Sequence, residues 1–263
     1  MSLIFCSVAL LSWSCDKDAN NAATAKTFVL VHGAWQAPYV WDGVKTQLQQ
    51  QGYKVLVVQL PAHGDDTTSA IRVNMSAYCN KVITAMSGVS GKVILVGHSM
   101  GGVVVSGVAE KVPAQIEKLV YIGAFVPANG QSIAYLSSLD KQSHLGSSIL
   151  PSDGGLSINI KRDSIVSIFC QDAAAGTQQL VLDKFKVEPA IPFGDTVHLS
   201  DANWGKADKY YIHTTLDHAI GIDLQNQMAT AAHITKRYSL PTGHCPFLSK
   251  PADVTNLLLQ IAR

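Results

Sequence analysis

Ser99 sits in Gly97-His98-Ser99-Met100-Gly101, a G-x-S-x-G pentapeptide preceded by the apolar run Val93-Ile94-Leu95-Val96 and followed by Gly102 and Val103-Val104-Val105. A buried strand, a tight turn and a helix in that order would thrust the serine hydroxyl out above a sheet, and glycine on both sides lets the two backbones approach closely. A hydroxyl is a weak nucleophile at neutral pH, so such a serine needs a base to take its proton and a third group to hold that base. His244, in Leu240-Pro241-Thr242-Gly243-His244-Cys245, and Asp217, in Thr214-Thr215-Leu216-Asp217-His218, each follow a strand-like run. That is where reactive groups of an open α/β sheet collect.

Other residues compete for these roles. Asp208 and Asp223 are rival acids, because a loop can carry an earlier or later carboxylate into place. His213 and His218 flank Asp217 and read as surface partners of an acid, and His98 reads as a packing residue. Acyl transfer also needs donors for the developing oxyanion. The N–H of Met100, directly after the serine, is one, and the loop His32-Gly33-Ala34-Trp35 should supply the other through Ala34 N–H. Gly33 and Trp35 of the same loop are the expected substrate contacts.

These residues need a scaffold. Phe28-Val29-Leu30-Val31, Val55-Leu56-Val57-Val58, the run before Ser99, and Leu119-Val120-Tyr121-Ile122 are continuous apolar segments, the pattern of parallel strands buried on both faces. Helical spacing lies between them, as in Val44 and Leu48, or Met75, Cys79, Val82 and Met86, and the alternation predicts right-handed crossovers. From about 125 to 207 the rhythm breaks into Ser, Gly and Pro loops with short apolar pieces, too long for a connection, which predicts a small helical cap. Strands resume at Lys209 to His213 and at Ile234 to Leu240, and Val254, Leu257, Leu258 and Ile261 give a closing helix. The predicted fold is therefore α/β, with a mostly parallel sheet of about six strands and helices on both faces.

Composition narrows the classes. The chain has 263 residues, 47% hydrophobic and 15% charged, with a net charge of +1, which suits one domain over 27–263 and leaves no basic footprint for nucleic acid. Residues 1–26 differ. Leu3 to Leu11 is an apolar core leading to Cys15 and then a polar tether, which resembles the signal peptide of a bacterial lipoprotein. That resemblance implies export to the cell envelope, with contact to the membrane only through a lipid on Cys15. An apolar tail without a targeting role is the alternative, and would leave the protein cytoplasmic. Cys79, Cys170 and Cys245 lack metal-ligand spacing and read as buried free thiols, with one disulfide open in an exported chain.

Phe28-Val29-Leu30-Val31-His32-Gly33-Ala34-Trp35 with Trp41 beyond it, Val93 to Gly102, Tyr211-Ile212-His213-Thr214-Thr215-Leu216-Asp217 and Gly243-His244 together resemble the α/β-hydrolase superfamily. The chain order serine, acid, histidine is that of these enzymes. More narrowly, the motifs are similar to the plant methylesterase and hydroxynitrile lyase group and its bacterial esterase relatives. The resemblance implies the α/β-hydrolase fold, no cofactor and no metal, a small apolar acyl pocket under a cap, and Ser99, Asp217 and His244 as a catalytic triad acting on a small-molecule ester. Hydroxynitrile lyases of this group carry threonine at the place of Gly33 and lysine at the place of Cys245, so the resemblance favours a serine carboxylesterase. A receptor-like binder with little turnover and a lyase remain the alternatives, while haloalkane dehalogenases need aspartate in place of Ser99.

Overall fold

The computed structural model describes residues 26–263; the leader read around Cys15 lies outside the described residues. The chain opens with β1 (Thr27–Val31), whose five residues are all buried, and continues through a short 3-10 turn at Pro38–Trp41 into α1 (Asp42–Gln50). Gly52 ends that helix at φ 83°, a left-handed backbone that a side chain would resist, and the chain returns as β2 (Lys54–Val58). Asn74 caps α2 (Met75–Met86) by accepting the Ala77 N–H at 2.8 Å. Then follow β3 (Val93–His98), α3 (Gly101–Lys111) and β4 (Ile116–Ile122).

Between β4 and the next core strand lies a long insertion. It contains α4 (Ile133–Leu139), β5 (Ile149–Ser152), β6 (Ser157–Ile160), α5 (Arg162–Phe169), α6 (Ala175–Lys184), β7 (Glu188–Pro189) and α7 (Ile191–Gly194). The runs Ile165 to Phe169 and Gln178 to Leu182, short pieces within the broken stretch, fall in α5 and α6. The cap is not purely helical, because β5, β6 and β7 form an antiparallel sheet of their own. Strands of two to four residues, one ending on Pro189, are too short to show an alternating pattern. The core then resumes with β8 (Lys209–Thr214), α8 (Ile222–Ala231), β9 (Lys236–Leu240), a single turn α9 (Pro246–Ser249) and α10 (Pro251–Ala262).

The core sheet has six strands in the order β2-β1-β3-β4-β8-β9, and every neighbouring pair is parallel. The predicted α/β-hydrolase architecture is the one observed. α1 packs on α10 and α2 on α3, as right-handed crossovers that change direction after β2 require. Strand order therefore reverses between β1 and β3, so the loops leaving them diverge and open a crevice beyond their carboxyl ends. Register decides what meets there. Val31 pairs with Gly97, which sets the His32 to Trp35 loop beside Ser99, and Thr214 pairs with Leu240, which sets the loops after β8 and β9 side by side.

Candidate active site

Ser99 adopts φ 54°, a left-handed conformation costly for a residue with a Cβ and held only where its surroundings over-determine it. The flanking glycines supply that constraint. A Cβ on Gly97 would lie 2.5 Å from the Gly101 carbonyl oxygen, one on Gly101 2.8 Å from that of His32, and one on Gly102 2.2 Å from that of Phe125. Backbone occupies each space, so the sharp turn exists because those positions lack side chains. Gly33 is as tight, since a Cβ there would come within 2.7 Å of Ser99 Cβ and 2.9 Å of His98 Nδ1.

The loop after β8 is tied to the loop after β9 by two backbone bonds, Thr215 N–H to Leu240 O and Leu216 N–H to Thr242 O, each 3.0 Å. Asp217 and His244 meet as a result. His244 Nδ1 lies 3.0 Å from Oδ1 and 2.9 Å from Oδ2 of Asp217, and since a carboxylate only accepts, Nδ1 carries the proton. Both side chains are buried. Asp217 is further held by N–H groups of Ala219 and Ile220 on Oδ1, at 2.7 and 2.9 Å, and by the Thr214 hydroxyl on Oδ2 at 2.8 Å. With the Gln225 amide also donating to Oδ2 at 3.4 Å, five donors on one buried carboxylate compensate its lost hydration and fix its orientation. The imidazole lone pair is thereby left on Nε2.

His98 does more than fill space. Its Nε2–H donates to the His244 carbonyl oxygen at 2.9 Å, and the two rings lie 4.5 Å apart. Burial, then the neighbouring His244, push its pKa well down, so His98 stays neutral and acts as a fixed donor beneath the His244 loop. Cap residues brace this loop and the Asp217 loop from above. Phe169 meets the His244 ring edge-on at 5.7 Å, Asp172 accepts the Gly243 N–H at 2.9 Å, and the Gln171 amide donates to Leu216 O at 2.8 Å.

The structure brings His244 and Asp217 together, while the Ser99 hydroxyl makes no hydrogen bond to His244 among the described residues. The N–H groups of Ala34 and Met100 are likewise not taken up by any hydrogen bond among the described residues. Aiming of the Ala34 group has a visible cause. His32 Nδ1–H donates to Gly33 O at 2.8 Å, and in a trans peptide the N–H of Ala34 points away from that carbonyl. Burial and the adjacent His63 lower the His32 pKa to about 3, so this donor persists across the neutral range.

The remaining candidates fall elsewhere. Asp208 pairs with Lys236 at 2.6 Å and Asp223 is exposed at the start of α8. His218 donates to Ser167 O, and His213 is buried against Tyr211. Trp35 is turned into the cap, where its ring meets Phe169, Phe185 and Phe193. Cys245 is fully buried with the Gln36 amide on its sulfur at 2.8 Å, and burial pushes its thiol pKa well up. Cys79, Cys170 and Cys245 are free thiols. Among the described residues no group of three or more His, Cys, Asp or Glu side chains could hold a metal ion, and no helix is long and apolar enough to cross a membrane.

Glu188 escaped the sequence reading. It is 0% exposed, lies in the cap, and reaches Trp35 N–H, His63 and Tyr78. A single carboxylate in the otherwise apolar stretch from Val187 to Phe193 is the available signal, but nothing local says what it touches.

A family model described as the alpha/beta hydrolase family matches residues 28–257. Methylesterase 7 of Arabidopsis thaliana is 28% identical over 260 residues, covering 93% of this chain and 98% of its own. A longer chloroplastic protein of the same plant is 30% identical over 251 residues, 90% of this chain, and the chain spans only 64% of that relative's length. The crystal structure of polyneuridine aldehyde esterase superposes with a TM-score of 0.82 at 22% identity, over 91% of this chain and 100% of that one, and so shares the fold.

Proposed function

The chain belongs to the alpha/beta hydrolase family, and from that premise we propose that it is a serine carboxylesterase that hydrolyses small carboxylic esters through an acyl-enzyme. The observation that carries the reading is the buried His244–Asp217 pair, which leaves a basic Nε2 at the same end of the sheet as a serine on a strained turn.

In this reading Ser99 Oγ attacks the ester carbonyl as His244 Nε2 takes its proton. The carbonyl oxygen becomes an oxyanion and is bound by the free N–H groups of Ala34 and Met100, each of which is worth about 3 kcal/mol in the transition state. The imidazolium, steadied by Asp217, returns the proton to the alkoxy oxygen, the C–O bond breaks and the alcohol leaves. Water, deprotonated by the same Nε2, then attacks the acyl carbon and releases the acid and the serine.

Two features weigh against cyanohydrin cleavage. A threonine at position 33 has no room for even its Cβ, and position 245 holds a buried, neutral thiol where that group of lyases has a cation. Relatives named methylesterases make methyl esters of small organic acids the first substrates to try. The test is a panel of esters varied separately in acyl and alcohol parts, run with the wild type and Ser99→Ala. Turnover of some member by the wild type, and its loss in the variant, is expected; no ester turnover anywhere in the panel, together with cyanide release from mandelonitrile, would replace the reading.

A further inference from the structure

Trp35 directly follows Ala34, and it too has a left-handed backbone, at φ 57°. Nothing in a Trp side chain favours that conformation, so other contacts must hold it. Two do, and both come from the cap. The Trp35 backbone N–H donates to Glu188 Oε2 at 2.7 Å, and its indole N–H donates to Ile158 O at 3.1 Å. Ile158 and Glu188 are register partners across β6 and β7, so one rung of the cap sheet grips Trp35 at both ends.

The carboxylate is itself locked. Its Oε2 also lies 2.7 Å from His63 Nε2, and its Oε1 accepts the Tyr78 hydroxyl at 3.0 Å. His63 Nδ1 donates to Pro61 O at 2.9 Å, so with Nε2 facing a carboxylate both ring nitrogens donate and the ring is an imidazolium. The pair is almost wholly buried, at 2% and 0% exposure, where a lone charge would be strongly disfavoured and a matched one is rigid. His63 and Tyr78 belong to the core while Glu188 belongs to the cap, and close by the cap's Lys186 ammonium also donates to Gly64 O.

We propose that Glu188 is a positioning residue for the oxyanion loop: from the cap it fixes the Ala34–Trp35 peptide, as His32 fixes the Gly33–Ala34 peptide, so that Ala34 N–H faces the space above Ser99 only while β7 is seated. This rests on the esterase reading above for its catalytic consequence. The geometry of the clamp does not depend on that reading. Two successive peptide planes are pinned, one by a core histidine and one by a cap carboxylate, and His63 links the two anchors by packing its ring 4.9 Å from that of His32. The hole is thus assembled jointly by both parts of the molecule.

The experiment compares wild type, Glu188→Ala, Glu188→Asp and Glu188→Gln on the best p-nitrophenyl ester, with amide exchange of Trp35 measured on each protein. Removing the acceptor in Glu188→Ala, or withdrawing it in Glu188→Asp, should lower kcat by about thirtyfold to a hundredfold, toward the loss of one oxyanion donor, with KM within about threefold. Exchange at Trp35 should speed up at least about tenfold, while core amides such as those of β3 stay protected. Glu188→Gln retains an oxygen for Trp35 N–H and should keep kcat within about fivefold. If Glu188→Ala does not fold, Glu188→Asp carries the comparison. Unchanged kcat and unchanged Trp35 exchange in a folded Asp or Ala variant would overturn the proposal, and so would an equal fall for Glu188→Gln and Glu188→Asp. A wild type that turns over no ester would instead sink the esterase reading, and Trp35 exchange would then still decide whether the clamp exists.

Discussion

The Nδ1–H of His244 is held between both oxygens of the Asp217 carboxylate, at 3.0 and 2.9 Å. Every other partner of that carboxylate is also a donor, namely Ala219 N–H, Ile220 N–H, the Thr214 hydroxyl and the Gln225 amide. An amide in its place would turn an NH2 group against at least one of them.

Asp217→Asn is therefore expected to misdirect the imidazole rather than unfold the chain. The amide donates to Nδ1 and moves the ring proton to Nε2, where it blocks the base. By analogy with serine protease triads, kcat should fall by about four orders of magnitude. Steady-state kinetics with a circular dichroism control check this, and a near-normal rate would move the acid's role away from Asp217.

Gly33→Thr should damage the enzyme without converting it. The added Cβ would sit 2.7 Å from Ser99 Cβ and 2.9 Å from His98 Nδ1, so the Ser99 turn or the His98 ring must shift, with a stability loss of about 1–3 kcal/mol. Ester turnover should drop at least about tenfold and mandelonitrile should release no cyanide. Thermal denaturation and both assays on one preparation check it, and a stable variant with unchanged kcat would show that the turn has slack.

The His63–Glu188 pair predicts a pH dependence of stability. Burial alone would lower the His63 pKa, but the charge and hydrogen bond of Glu188 outweigh it and the net direction is up from 6.5. His32, Tyr78 and Asp66 also face or influence this ring. A histidine raised in the folded state stabilises fully below its unfolded value and ceases to as pH climbs through the folded one. The excess stability of wild type over His63→Gln should be largest below pH 6.5 and shrink in alkaline solution. His32, lowered to about 3 by burial and then by His63, acts in the opposite sense by favouring unfolding as pH falls below 6.5; its burial contribution is common to both proteins and cancels, while the part due to His63 is lost in His63→Gln and offsets some of the difference. Urea midpoints of the two proteins across the pH range check it, and a difference that grows with pH would contradict the assignment of His63 as imidazolium.

Much of this was legible from local pattern. Buried parallel strands such as β1 and β3 read as unbroken apolar runs, and Asp217 and His244 stand just beyond strands, where a doubly wound sheet exposes its loops. Glu188 could not be found that way, because its partners Trp35 and His63 lie 153 and 125 residues away and the strand that carries it has two residues. His98 was seen, but its bond to the His244 carbonyl depends on how the loop after β9 folds back over β3. The same limit hid the cap sheet, whose pairing joins segments too short to declare a period.

The central claim is that Ser99 is the nucleophile, and trapping the acyl-enzyme tests it most directly. Wild-type protein mixed with excess ester and quenched in acid within milliseconds should gain one acyl mass, mapped to the peptide carrying Ser99, and Ser99→Ala should gain none and turn nothing over. An acyl group on another residue, such as Cys245, or continued turnover by Ser99→Ala would contradict the account.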